Sequence, residues 1–299
     1  MAAACRAACA GARDGVTPIL LALRVGAREF ISLSKVLVQV NTFSIDDSGN
    51  ILRYLDLYSG EKAFEPLLFI HGLGCASSID YLPVVTSDSY SKCRSILVDL
   101  MGSGLSDKPQ DGKYDSATQA TVLSNFAVSQ GFSNVNLFGH SAGAFIALKL
   151  AQQLPIQVDT LVLCEPGLTD YGVAMLSEIA SQTEQQFVDS GFSQFLAQLK
   201  AQGGNDVWLG PFSVASPYAI YQWARSAIDD NSTNWLDDLT NLNATKGVIL
   251  SDTAMSDEIA KFEQAGCTVE LVANAEHMIA YDNPDGLALA ISNILNLSR

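Results

Sequence analysis

The sequence predicts an α/β architecture: a largely parallel central sheet with helices on both faces and a helical segment inserted between two core strands. Three observations predict it. Short, unbroken apolar runs recur along the chain, PLLFI (66–70), SILVDL (95–100), NVNLF (134–138), TLVLC (160–164) and GVILSD (247–252), as expected of parallel strands buried on both faces. Segments of helical periodicity separate them. The residues best suited to chemistry fall just after these runs, at the C-terminal strand ends where such sheets hold ligands.

Composition sets the limits. A chain of 299 residues with 48% hydrophobic content suits one sizeable core. The net charge of −15 argues against nucleic acid or an anionic membrane as partner. No apolar run reaches transmembrane length. The six cysteines (Cys5, Cys9, Cys75, Cys93, Cys164 and Cys267) show neither metal-ligand spacing nor a disulfide framework. Cys164 sits in an apolar run, as a reduced buried thiol would, so the cytoplasm is the expected compartment. Residues 1–35 hold five of the seventeen basic residues. Their leader-like composition lacks a basic segment directly before its apolar stretch, and they are read as a poorly ordered extension. The core is then residues 36–166 and 244–299, and the helical insertion, a cap or lid, is residues 167–243.

In order, Val36–Phe43 and Ile51–Tyr58 read as strands joined through DDSGN as a hairpin. After PLLFI comes His71-Gly72-Leu73-Gly74, a loop whose backbone can approach a ligand closely; Leu73 N–H is a candidate oxyanion donor, with His71 and Gly72 as substrate contacts. The G-x-G after SILVDL lacks the third glycine of a dinucleotide fingerprint and reads as a structural loop. A helix over 116–130 follows, closed by Gly131. Gly139-His140-Ser141-Ala142-Gly143 then fits G-x-S-x-G between an apolar strand and AFIALKLAQQL at helical spacing. In a strand–turn–helix elbow, Ser141 presents its hydroxyl at a helix N-terminus, and Ala142 N–H is the second oxyanion donor. The glycines allow the sharp turn and the close approach of the new helix.

The insertion is amphipathic and carries all three tryptophans, Trp208, Trp223 and Trp235. Aromatics in a cap can line a pocket, and Trp208 and Trp223 are the candidates; the alternative is that the aromatics fasten the insertion to the core. A helix over Ser256–Gln264, a strand over Cys267–Val272 and a closing helix begun by Pro284 complete the chain.

A serine nucleophile needs a base that titrates near neutrality, and the chain has only three histidines. His140 precedes Ser141 on the strand, so its side chain should face away from the hydroxyl. His71 lies in the loop that supplies backbone N–H. His277, after the last strand, is the remaining base. The acid that orients it follows a strand end: Glu165 after TLVLC or Asp252 after GVILS, both giving the order Ser, acid, His. Asp257 is a third choice, better suited to capping the next helix. Glu165 has a structural alternative as well, as a pre-proline carboxylate capping the first turn of the insertion.

FIHGLG (69–74), DLMGSGLSDKP (99–109), GHSAG (139–143), LVLCEP (161–166) and EHMIAYDNP (276–284) occur together and in order. With them the chain from Val36 to Arg299 resembles the serine hydrolases of the α/β-hydrolase fold. The resemblance implies Ser141 as nucleophile, His277 as base, and the Leu73 and Ala142 N–H groups as oxyanion hole. The usual G-x-x-D after the strand ending at Ser251 is missing. A subset with Glu-Pro or Glu-Gly after the preceding strand uses that glutamate, which implies Glu165. Family members that open epoxides or carbon–halogen bonds place aspartate at the nucleophile position, and Ser141 argues against both reactions.

The expected activity is hydrolysis of a small or medium carboxylic ester or related acyl compound through an acyl-enzyme, with no cofactor or metal and oligomeric state open. The same fold hosts C–C bond hydrolases, perhydrolases, amidases, lactonases and acyltransferases, and also weakly catalytic ligand receptors.

Overall fold

The computed structural model describes residues 38–45, 49–60, 64–204 and 206–296. Eight strands form one sheet: β1 (Val40–Ser44), β2 (Ile51–Leu57), β3 (Leu67–Ile70), β4 (Ser95–Asp99), β5 (Asn134–His140), β6 (Gln157–Cys164), β7 (Thr245–Ser251) and β8 (Thr268–Val272). Their order is β1-β2-β4-β3-β5-β6-β7-β8. β1 and β2 pair antiparallel, β2 lies antiparallel to β4, and every later pairing is parallel. The predicted α/β class with a largely parallel sheet is therefore the observed one. The first strand starts later than expected, at Val40, and residues 1–35, Val36 and most of the DDSGN turn lie outside the described residues.

The period of two along each strand explains the layering. Leu68, Ile70, Ile96 and Val98 face one cluster, which holds α3 (Ser116–Ser129), α4 (Gly143–Gln153) and Phe262. Leu67, Phe69, Leu97 and Phe138 face the other, with Tyr81, Val84, Leu287 and Ile291. The elements on that second face include the short helices that follow β3, α1 (Ser77–Asp80) and α2 (Leu82–Val85), and the closing helix α13 (Pro284–Ile294), started by Pro284 and capped by Asn283. The loop after β4 is structural, as expected: the buried Asp99 accepts Ser78 N–H at 2.9 Å, Ser78 Oγ–H at 2.7 Å and Leu105 N–H at 2.9 Å.

Every element between β6 and β7 is helical. The principal helices are α5 (Asp170–Ala180), α6 (Glu184–Gln186), α7 (Phe192–Gln202), α8 (Asp206–Ser213), α9 (Pro217–Asn231) and α10 (Trp235–Asn241). Polar contacts fasten this segment to the core. Trp208 Nε1–H donates to Leu73 O at 3.0 Å, Tyr114 N–H to Gln222 Oε1 at 2.9 Å, and Ser216 N–H to Gly102 O at 2.8 Å. Lys149 pairs with Asp230 at 3.1 Å. Trp223 and Trp235 are buried, Trp235 edge-on to Phe145 of α4. α11 (Ser256–Gln264) follows β7; Asp257 lies in its first turn, but the cap position is Met255, so the capping expected of Asp257 is not made.

The described cysteines, Cys75, Cys93, Cys164 and Cys267, are free and buried. Among the described residues no helix is long and apolar enough to cross a membrane.

Candidate active site

The parallel strands bring four loops to one edge: those after β3, β5, β6 and β8. Ser141 is the turn residue between β5 and α4, at φ +52°, a left-handed conformation that costs a non-glycine residue energy and clusters at functional sites. Its N–H donates to Cys164 O at 3.0 Å, which locks the turn onto β6. The flanking glycines are required by space. A Cβ on Gly143 would come within 2.2 Å of His71 O, and one on Gly139 within 2.7 Å of the Ala147 Cβ. The helix after the serine thus packs directly on the strand before it and on the loop after β3.

His277 lies after β8 and just before the short helix α12 (Ile279–Asp282). Its Nε2 is 3.0 Å from Ser141 Oγ. Its Nδ1 is 3.6 Å from Glu165 Oε2, beyond a direct hydrogen bond but within ion-pair reach. Glu165 also sits at positive φ, +45°. Its backbone N–H donates to Ile249 O at 2.9 Å, and its Oε1 accepts the Ser251 N–H at 2.6 Å. Burial pushes the Glu165 carboxyl up, but the facing His277 ring and the Ser251 N–H more than offset this, so its pKa lies below the ordinary value. The helix that follows is capped by Thr169, not by Glu165.

Asp252, the alternative carboxylate, is exposed beyond β7, and its backbone N–H donates to Val272 O at 3.0 Å. Asp257 is also exposed. Of the three carboxylates the sequence offered, Glu165 is the one the fold brings to His277.

The Leu73 and Ala142 N–H groups donate to no protein group among the described residues. Gly72, just before Leu73, packs against the end of β5 and the serine: a Cβ there would lie 3.1 Å from His140 Nδ1 and 3.4 Å from Ser141 Cβ.

Two residues expected to touch substrate are placed otherwise. His71 is fully buried; its Nε2 accepts the Leu100 N–H at 3.1 Å, and its Nδ1–H donates to Gly72 O at 2.8 Å. Burial lowers its pKa, against the opposing pull of Asp99. Both nitrogens are spent on the backbone, which leaves none for a ligand. Trp223 is 1% exposed and packs edge-on against this ring, 5.9 Å between centroids. Trp208 is partly buried, and its indole N–H is engaged by Leu73 O.

His140 holds more than the sequence indicated. It faces away from the Ser141 hydroxyl as expected, yet its Nε2–H donates to the His277 carbonyl at 3.0 Å, and the two rings lie 5.2 Å apart. Burial, then the nearby His277, pushes its pKa down to about 3, so it stays neutral. Adjacency to the serine was the only sequence signal, and it gave no hint of a contact with His277.

The loop carrying His277 is further fixed by Glu276 N–H donating to Asp282 Oδ2 at 2.9 Å and Asn283 Nδ2–H donating to Ala273 O at 2.8 Å. No group of side chains suited to holding a metal ion occurs among the described residues.

A family model described as the alpha/beta hydrolase fold matches residues 65–213. Lipase 3 of Moraxella sp. (strain TA144) is 29% identical over 169 residues, 49% of this chain and 53% of that protein. This chain spans about half the length, or less, of the curated relatives it matches. Among solved structures, a thermophilic esterase from Thermogutta terrifontis superposes with TM-score 0.66 at 16% identity, covering 86% of this chain and 98% of that one. The epoxide hydrolase CorEH superposes with TM-score 0.67 at 15% identity, covering 87% and 99%.

Proposed function

This chain has the α/β-hydrolase fold, and on that premise we propose that it is a serine hydrolase that cleaves a carboxylic ester or related acyl compound. The observation that carries the reading is the Ser141–His277–Glu165 line, 3.0 Å and then 3.6 Å, with two unengaged backbone N–H groups beside the serine. The lipase and esterase among the similar proteins support an ester as substrate.

In the proposed reaction His277 Nε2 takes the Ser141 proton as Oγ attacks the acyl carbon. The Leu73 and Ala142 N–H groups hold the oxyanion that forms. Glu165 keeps Nδ1–H facing it and stabilises the imidazolium. The imidazolium then protonates the leaving alcohol, whose bond to the acyl carbon breaks. Water, deprotonated by the same histidine, cleaves the acyl-enzyme and restores Ser141. Residues 167–243, as a cap over this edge, would shape the acyl pocket, and the four buried free thiols fit a reducing compartment.

The test is hydrolysis of p-nitrophenyl esters of increasing chain length by wild type and Ser141→Ala, with fluorophosphonate labelling of Ser141. Turnover by wild type alone, with a chain-length preference, supports the reading. Turnover retained by Ser141→Ala overturns it. Labelling without ester turnover keeps the nucleophile and moves the substrate to another acyl class.

A further inference from the structure

Asp80 is a buried carboxylate that the proposed reaction does not use. It ends the helix Ser77–Asp80 and is only 2% exposed. One oxygen, Oδ2, accepts the Ala76 N–H at 3.2 Å. The other, Oδ1, accepts the Tyr281 O–H. Ala76 lies three residues after Leu73, in the loop that offers the oxyanion donor. Tyr281 lies four residues after His277, on α12, which opens directly from the base. One carboxylate therefore joins the two loops whose spacing the reaction depends on.

We propose that Asp80 is a positioning residue: in its ionised form it clasps the loop of Leu73 to the loop of His277 and so sets the oxyanion donor relative to the base. The inference rests on the serine hydrolase reading of that site. Its logic is that of donors and acceptors. A carboxylate accepts at both oxygens, so it satisfies Ala76 and Tyr281 together. A protonated carboxyl, or an asparagine, has a donor on one side; it keeps the Tyr281 contact only by reversing it and donating to the phenol oxygen, and so exchanges a charge-assisted bond for a weaker neutral one. The His140 bond to the His277 carbonyl holds the base loop at another point, so losing the clasp should loosen the geometry without dismantling it. Misplacement on the scale of an ångström is enough to cost orders of magnitude in rate.

The groups facing Asp80 are the Tyr281 phenol from α12, the Cys75 thiol, the Tyr81 phenol and, from the end of β4, Asp99. None is a cation. Burial is the main cause that raises the Asp80 pKa, to about 6, against the bonds from Tyr281 and Ala76, which lower it. The clasp thus tightens and slackens in a range where the enzyme can be assayed.

The test compares kcat and KM of wild type and Asp80→Asn from pH 5 to 8 and follows the wild-type-to-variant ratio of each. The wild-type advantage in kcat should be about tenfold at pH 8 and fall toward one at pH 5, with a midpoint near the Asp80 pKa of about 6 and little change in KM. A merely structural aspartate gives a ratio that does not vary with pH, and that result, or equal rates at pH 8, overturns the clasp. Tyr281→Phe removes one hydroxyl only and should reproduce the loss at pH 8; it replaces Asp80→Asn if that variant does not fold. Hydrogen exchange of residues 276–283 gives a readout free of activity. Amides protected in wild type at pH 8, and less protected in the variant at the same pH, support the clasp; equal protection overturns it. If wild type neither turns over esters nor labels at Ser141, the hydrolase reading fails, and exchange alone decides whether Asp80 joins the loops.

Discussion

Glu165→Gln tests the site most directly, because the substitution keeps shape and removes charge. The amide oxygen can still take the Ser251 N–H at the present 2.6 Å position of Oε1. The amide NH2 then faces His277 Nδ1, where Oε2 now stands 3.6 Å away. A donor there favours the tautomer with the proton on Nε2, which would point N–H at Ser141 Oγ and leave no base. The imidazolium formed during attack also loses its counter-charge. Two unit charges 3.6 Å apart attract by about 5 kcal/mol at an effective dielectric constant of roughly 20, an upper figure because the His277 side chain is 43% exposed. At 1.36 kcal/mol per decade, this is about three orders of magnitude in kcat. The assay is p-nitrophenyl ester hydrolysis at pH 8 with Asp252→Asn in parallel. Asp252 is exposed and the ion pair of His277 among the described residues is with Glu165, so its variant should stay within about threefold of wild type. A Glu165→Gln enzyme within tenfold of wild type, or an Asp252→Asn enzyme more damaged than it, would refute the assignment of the acid.

Two further outcomes are expected. Gly143→Ala places a methyl 2.2 Å from the His71 carbonyl, which neither backbone can avoid; it should cost roughly 3 kcal/mol or more in urea unfolding and remove activity, and a variant of wild-type stability would show that the elbow does not pack as described. The buried Asp80 should also make stability fall as pH rises. Its pKa goes from 3.8 to about 6 on folding, so below pH 4 both states are protonated, whereas between about 4 and 6 only the folded state holds the proton and unfolding becomes easier. The difference amounts to about 3 kcal/mol above pH 6. Unfolding free energies of wild type and Asp80→Asn should diverge across that window in favour of the variant, and curves that stay parallel would contradict the buried charge.

The elbow was legible because it is local. Gly139, Ser141 and Gly143 are close in sequence, and strand, turn and helix follow each other in the apolar pattern on either side. The central strands were legible for a related reason: a strand buried on both faces, such as Leu67–Ile70, must be apolar at every position. The proposed base, His277, was reached by elimination, since three histidines leave few choices. The acid stayed open between Glu165 and Asp252, because both follow a strand end and the one-dimensional pattern treats them alike.

What the sequence by itself determined is the set of parts: the α/β class, the serine on its turn, the histidine after the last strand and a helical insertion rich in aromatics. Tertiary structure decided how they are used. It put Glu165 beside His277 because β6 neighbours β5 in the sheet, while Asp252 leaves β7 one strand further out and faces solvent. It turned His71 and Trp223 inward, made His140 a support for the base loop, and joined Asp80 to Tyr281 across 201 residues of chain. Those contacts depend on strand order and on which loops meet at one edge of the sheet. No periodicity or short motif records them, because each links residues that only the folded backbone brings within reach.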